Sequence, residues 1–96
     1  MNSSIVIALP KIDDAKKIRT ILNRHGFSVA AVCSTASTAL ASMSELDGGI
    51  LICGYKLTDR YYRDVLEDIP SYFEMLLLAS GRVIAEAPTS VLTVGN

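Results

Sequence analysis

The side chains in this sequence that could do chemistry are few, and their spacing brings none of them together. Cys33 and Cys53 could act as nucleophiles or soft metal ligands, but neither lies in a metal-ligand pair or beside a histidine, and each closes an apolar run. They read as reduced, buried thiols that pack as small hydrophobes. His25, the sole histidine, stands before Gly26 at what reads as the end of a helix. Lys56 could offer a cation to an anionic ligand, yet no second anion-binding group accompanies it, and a solvated loop lysine is the simpler reading. Asp13 and Asp14 carry the hard oxygen donors that Mg²⁺ requires, but they sit where a helix begins and are explained by that position. No nucleophile–base pair, metal-ligand cluster or glycine-rich phosphate loop is visible, so an enzyme is the weakest reading.

Any site must therefore come from the elements themselves. Gly49-Ile50-Leu51-Ile52-Cys53-Gly54 is a short apolar run with neither alternation nor charge, the pattern of a parallel strand covered on both faces. Ligands in open α/β sheets gather at the carboxyl ends of such strands, and the residue emerging there is Gly54. Ser4 to Leu9, ended by Pro10, reads as the first strand. The first helix follows, capped by Asp13, with Ala15, Ile18, Ile21 and Leu22 as its apolar stripe and His25-Gly26 as its stop. Phe27 to Cys33 reads as a weaker strand whose small residues suit an edge close to a helix. Ser34 to Thr38 offers several caps for a short helix marked by Ala36, Ala39, Leu40 and Met43. A third helix opens near Asp59 with Tyr62, Val65, Leu66 and Ile69 as its stripe, and ends at Pro70. Met75 to Ala79 and Val91 to Val94 supply two more strands. Strands alternating with helices predict parallel βαβ units with right-handed crossovers.

With 96 residues, half of them hydrophobic, the chain reads as one globular domain over 1–96. A net charge of −1, a pI near 5.7 and a mean hydropathy of +0.36 give no overall attraction to nucleic acid or to an anionic membrane. Lys11, Lys16, Lys17, Arg19 and Arg24 hold five of the nine positive charges, but Asp13 and Asp14 sit among them and no aromatic residue is interleaved for stacking. The expectation is a solvated helix face and no direct nucleic-acid binding by this segment. There is no membrane-spanning run and no targeting segment, so a cytoplasmic protein is expected.

The order of elements resembles the receiver domain of two-component response regulators. Arg19-Thr20-Ile21-Leu22, Gly26-Phe27-Ser28-Val29, Ala36 with Ala39-Leu40, and Ile52-Cys53-Gly54-Tyr55-Lys56-Leu57 carry the likeness, in order and at receiver spacing. It implies a receiver-like (flavodoxin-like) three-layer α/β fold with a parallel sheet of order 2-1-3-4-5. Working receivers carry two acidic residues after strand one, a phosphoacceptor aspartate after strand three, a Ser/Thr after strand four and a lysine after strand five. Carried across residue by residue, the acidic pair falls on Leu9 and Pro10, the phosphoacceptor on Gly54 and the Ser/Thr on Ala79, with Ser80 one residue beyond. Lys56 keeps its usual company, and no lysine follows strand five. The resemblance thus implies a degenerate receiver of two-component, phosphorelay signalling that no longer accepts phosphate itself, with no metal and no cofactor. The short Gly81-to-Pro88 segment, read as a shortened fourth-helix region, narrows the likeness to the front domain of ANTAR-type transcription antitermination regulators, whose C-terminal domain binds RNA.

The resulting expectation is a signalling or transcription-regulating module that works by dimerisation or partner docking, with an RNA-binding C-terminal domain in a longer parent. The alternative is a small-ligand sensor that uses the vacated crevice around Leu9, Pro10, Gly54 and Ala79. The absence of a fifth helix predicts that side chains of Ile50, Ile52, Met75, Leu77, Val91 or Thr93, or of their alternating neighbours, face solvent and are buried in a symmetric homodimer.

Overall fold

The computed structural model describes residues 4–79 and 91–95, with side chains described for 4–78. Five parallel strands, β1 (Ser4–Ala8), β2 (Val29–Cys33), β3 (Gly49–Gly54), β4 (Phe73–Ala79) and β5 (Val91–Gly95), form one sheet in the order β2-β1-β3-β4-β5. Three helices connect the first four strands: α1 (Ile12–Arg24), α2 (Ala36–Ser44) and α3 (Tyr62–Asp68). The expected receiver-like sheet is present, and β3 spans the same residues as the apolar run that suggested it. The shortened fourth-helix segment read from Gly81 to Pro88 lies outside the described residues.

Strand alternation splits the core into two layers. On one face Val6, Ala8, Leu51, Cys53, Met75 and Leu77 pack against Ala36, Ala39 and Met43 of α2 and Tyr62 and Val65 of α3. On the other, Ile5, Ile7, Leu9 and Ile52 pack with Ala15 of α1, joined by half-buried Ile18, Leu22, Leu76 and Leu78. Full burial of each large side chain stabilises the fold by about 1.5–3 kcal/mol. Met75 and Leu77, expected to be among the solvent-facing set, are 1% and 0% exposed. The reason is register: Leu51 pairs with Met75 and Cys53 with Leu77, so both point to the layer that α2 and α3 cover. Ile52 is also buried, at 7%, under the α1 layer. On β3 and β4 the residues left open on that layer are Ile50, 38% exposed, the exposed Glu74 in register with it, and the half-buried Leu76 and Leu78. Val91 and Thr93 lie on β5, whose side chains are outside the description.

Helix α1 lies over β1 and β2. With 3.6 residues per turn, Ala15, Ile18 and Leu22 face the sheet, Ile12, Lys16 and Arg19 fall on the flank beside β2, and Ile21 falls on the opposite flank, toward β3 and β4. Ile21 is 53% exposed. Asp13 does not cap this helix. Lys11 holds the extended N-cap position with no side-chain bond, and Asp13 and Asp14 lie in the first turn, where negative charge suits the dipole. At the other end Gly26 takes φ 86°, the Gly26 N–H donates to the Asn23 carbonyl, and the Phe27 N–H donates to that of Leu22. This is the Schellman arrangement expected of a glycine stop. It uses the residues after the helix as a cap, so β2 begins at Val29 rather than Phe27.

Helix α3 begins at Tyr62, three residues later than Asp59. The stretch before it forms a tight loop in which the Leu57 N–H donates to the Arg60 carbonyl at 2.7 Å and Lys56 bridges to Tyr61. Its other end agrees with the proline signal, because Ile69 is extended ahead of Pro70.

Candidate functional site

The carboxyl ends of β1 and β3 lie side by side, with Ala8 in register with Cys53. The chain leaves β1 through Leu9, whose N–H donates to the Cys33 carbonyl of β2 at 3.1 Å, while the Leu9 and Pro10 side chains lie on the other side against Gly54 at the end of β3. Leu9 is 6% exposed, packed into the α1 layer. A Cβ placed on Gly54 would sit 3.1 Å from Leu9 Cδ2 and 3.3 Å from Pro10 Cδ, tighter than ordinary contact. The positions onto which the resemblance maps the acidic pair and the phosphoacceptor are thus brought together by the fold, and apolar atoms occupy the space beside Gly54.

Lys56 is exposed, and its Nζ stands 5.2 Å from the centroid of the Tyr61 ring, a cation–π contact. Tyr61 meets Tyr55 edge-on at 5.9 Å, and Tyr55 lies 5.5 Å from the buried Tyr62 ring. Tyr55 and Tyr61 are each about half exposed (50% and 48%), so an aromatic surface borders the Gly54 end of the sheet. Arg63 reaches the Tyr62 hydroxyl, and the bond raises the guanidinium's pKa further. Ala79 ends β4 in register with Gly95; its side chain and Ser80 lie outside the description.

The remaining candidates are dispersed. His25 bonds the Ile21 carbonyl at the far end of α1, away from the strand tips, and Asp13 and Asp14 are exposed on that helix's first turn. Cys33 and Cys53 flank Ala8 on neighbouring strands, about two strand spacings apart, which exceeds disulfide reach. Both are free and buried, and burial pushes the Cys53 thiol up to about 12. Among the described residues no three His, Cys, Asp or Glu side chains group as metal ligands.

One polar residue has a role that sequence reasoning missed. Asp59 accepts from the Ala36 N–H at 2.7 Å and the Ser37 N–H at 3.2 Å, while the Thr35 hydroxyl accepts from the Thr38 N–H at 3.2 Å. Together they satisfy the open donors of α2's first turn. Thr58 reinforces the link by donating its hydroxyl to the Ser34 carbonyl at 3.1 Å. The Ala36 bond, the largest influence, holds the Asp59 carboxyl below its ordinary value; desolvation comes next and opposes it, and the Ser37 bond and the nearby Arg60 charge add to the lowering. The loop that leaves Gly54 is therefore tied to the start of α2. A surplus of local cap candidates from Ser34 to Thr38 concealed a cap supplied from another loop.

No family model and no curated protein match this chain. Solved structures do. The chain is similar to the anti-anti-sigma factor PhyR from Bartonella quintana, with a TM-score of 0.78 and 15% identity over 99% of this chain and 41% of that one. It is also similar to a response regulator receiver domain protein from Bacillus halodurans, with a TM-score of 0.68 and 18% identity over 99% of this chain and 84% of that one. The likeness establishes a receiver-like fold. This chain spans about two fifths of the length of PhyR. Among the described residues no helix is long and apolar enough to cross a membrane.

Proposed function

We propose that this chain is a regulatory receiver-like module that accepts no phosphoryl group and acts by docking, to a second copy of itself or to a partner domain. The observation that carries the reading is the packing at the end of β3: Gly54 supplies no nucleophile, and Leu9 and Pro10 lie against it. An acyl phosphate needs a carboxylate, and Mg²⁺ needs hard oxygen ligands around it. The two fold neighbours, one named an anti-anti-sigma factor and the other a response regulator receiver domain protein, support a role in signalling.

The docking half of the proposal rests on the α1 side of the sheet. Ile50 on β3 and half-buried Leu76 and Leu78 on β4, with the exposed Glu74 beside Ile50, make a largely apolar surface beyond the strands that α1 covers, on the flank to which Ile21 is turned. Such a surface is the expected footprint of an interface, and a symmetric homodimer is its simplest occupant. A longer parent that carries a C-terminal RNA-binding domain of the ANTAR kind is the finer form of the proposal. The chain is expected not to be an enzyme and to work in the cytoplasm. Intact mass after incubation with acetyl phosphate and Mg²⁺ tests the first half, since a stable gain of about 80 Da would refute it. Light scattering at micromolar concentration tests the second. The expected result is a dimer that Ile50→Lys dissociates, and a monomer at every concentration would remove it.

A further inference from the structure

Strand β2 is an outer strand of the sheet, paired only with β1 among the described residues. The Cys33 carbonyl accepts from Leu9, toward β1. Backbone groups of successive residues in a strand point to opposite sides, so the N–H and C=O of Val32 point outward to the bare edge. The register with β1 shifts between Ile5 and Val6, which leaves Ala30 as an extra, exposed residue. Val29 and Val32 both face the α1 layer, whereas Ala31 faces the other.

Beside this edge runs a groove of about 260 Å³, floored by β2 from residue 29 to 32 and walled by Ile12, Lys16 and Arg19 of α1. The small Ala30 and Ala31 leave room for a chain to approach. Lys16 and Arg19 take part in no ion pair among the described residues. No acidic side chain lines the groove. A bare strand edge offers backbone pairing to an added strand, and two unpaired cations on one wall select the charge of that strand. A second copy of this chain fits poorly: antiparallel pairing of two β2 edges would set the two α1 helices side by side and bring Lys16 and Arg19 against their own copies.

We propose that the β2 edge and its groove form a docking site for an acidic extended peptide segment, which adds as a strand outside β2 and places its carboxylates against Lys16 and Arg19. This surface is separate from the Ile21-Ile50 surface, and its test does not depend on the chain's phosphorylation or dimerisation.

The probe is a labelled peptide of about eight alternating glutamate and valine residues, within ordinary strand length, followed by fluorescence anisotropy and by amide chemical shifts of the ¹⁵N-labelled chain. Binding with shifts centred on residues 30–33 is expected. Reversing the wall charges with Lys16→Glu and Arg19→Glu together weakens binding roughly tenfold, the size expected for two rim ion pairs. Methylating alternate backbone nitrogens of the peptide abolishes binding while the protein stays unaltered. Lack of binding at millimolar peptide would overturn the proposal. So would equal binding of a lysine–valine peptide, or shifts centred at the Gly54 end or on the Ile50 surface. Equal competition by a single-stranded oligonucleotide would also overturn it, by showing a charge patch without strand addition.

Discussion

Removing the carboxylate of Asp59 should unpin the first turn of α2 with little change elsewhere. Asp59→Ala leaves the Ala36 and Ser37 N–H groups without their partner, while Thr35 still serves Thr38. Loss of a side-chain cap costs about 0.5–2 kcal/mol. Asp59 is exposed, so water can take over part of its role, and about 1 kcal/mol is the expected loss. In a domain of this size that lowers the melting temperature by roughly 4–8 °C. The pH dependence separates this reading from a generic loss of packing. The folded-state carboxyl titrates below its ordinary 3.8, so its stabilisation is fully present above that value and is lost as pH falls through the lower, folded-state pKa. Urea unfolding of wild type, Asp59→Ala and Asp59→Asn at neutral pH and at about pH 3 and below reads both effects. Asp59→Asn keeps an acceptor without the charge and should fall between the other two at neutral pH. As the pH falls wild type should approach Asp59→Asn, while the gap between Asp59→Asn and Asp59→Ala, neither of which titrates at this position, should persist. A neutral-pH cost that stayed the same in acid, or no cost at all, would refute the capping argument.

Gly54→Asp should destabilise the fold by about 1–3 kcal/mol, because its Cβ meets Leu9 and Pro10 and its carboxylate enters apolar surroundings; intact mass should still show no phosphoryl adduct, since a lone carboxylate makes no Mg²⁺ site. Millimolar Mg²⁺ should leave the melting temperature of the native chain unchanged in a thermal scan, and a saturable rise specific to Mg²⁺ would reveal a metal site. Cys33 and Cys53 should resist a thiol reagent in the native state at neutral pH and react together on unfolding. Fast native-state labelling of either would contradict their burial.

The sheet was legible because its signals are local and strong. β3 needs apolar residues on both faces, and Gly49 to Gly54 has them without interruption; Gly26 announced the end of α1 because few other residues accept its backbone. The closure at Gly54 could be read as missing carboxylates, but not as Leu9 and Pro10 packed against the glycine, which depends on how two strand ends align. Which of Ile50, Ile52, Met75 and Leu77 stay open was not readable either. A fully apolar strand carries no alternation to show which face its residues take, and only register with the neighbouring strand decides that Met75 and Leu77 point to α2 and α3. Asp59 shows the same limit for polar groups, since a helix cap from a distant loop leaves no mark in the helix's own sequence.

The parallel register also governs how the molecule can assemble. In this sheet β1 pairs with β2 and β3, and every pair that follows the chain is separated by a whole crossover. No hairpin can form first and serve as a template. Each strand contact waits for a long loop to close, so formation of the sheet should be slower than that of a helical protein of equal length. Until β3 arrives, β1 presents an unpaired edge of Ile5, Val6 and Ile7, a sticky segment in a nascent chain. Early docking of β3 is therefore the step that most shields the chain from aggregation.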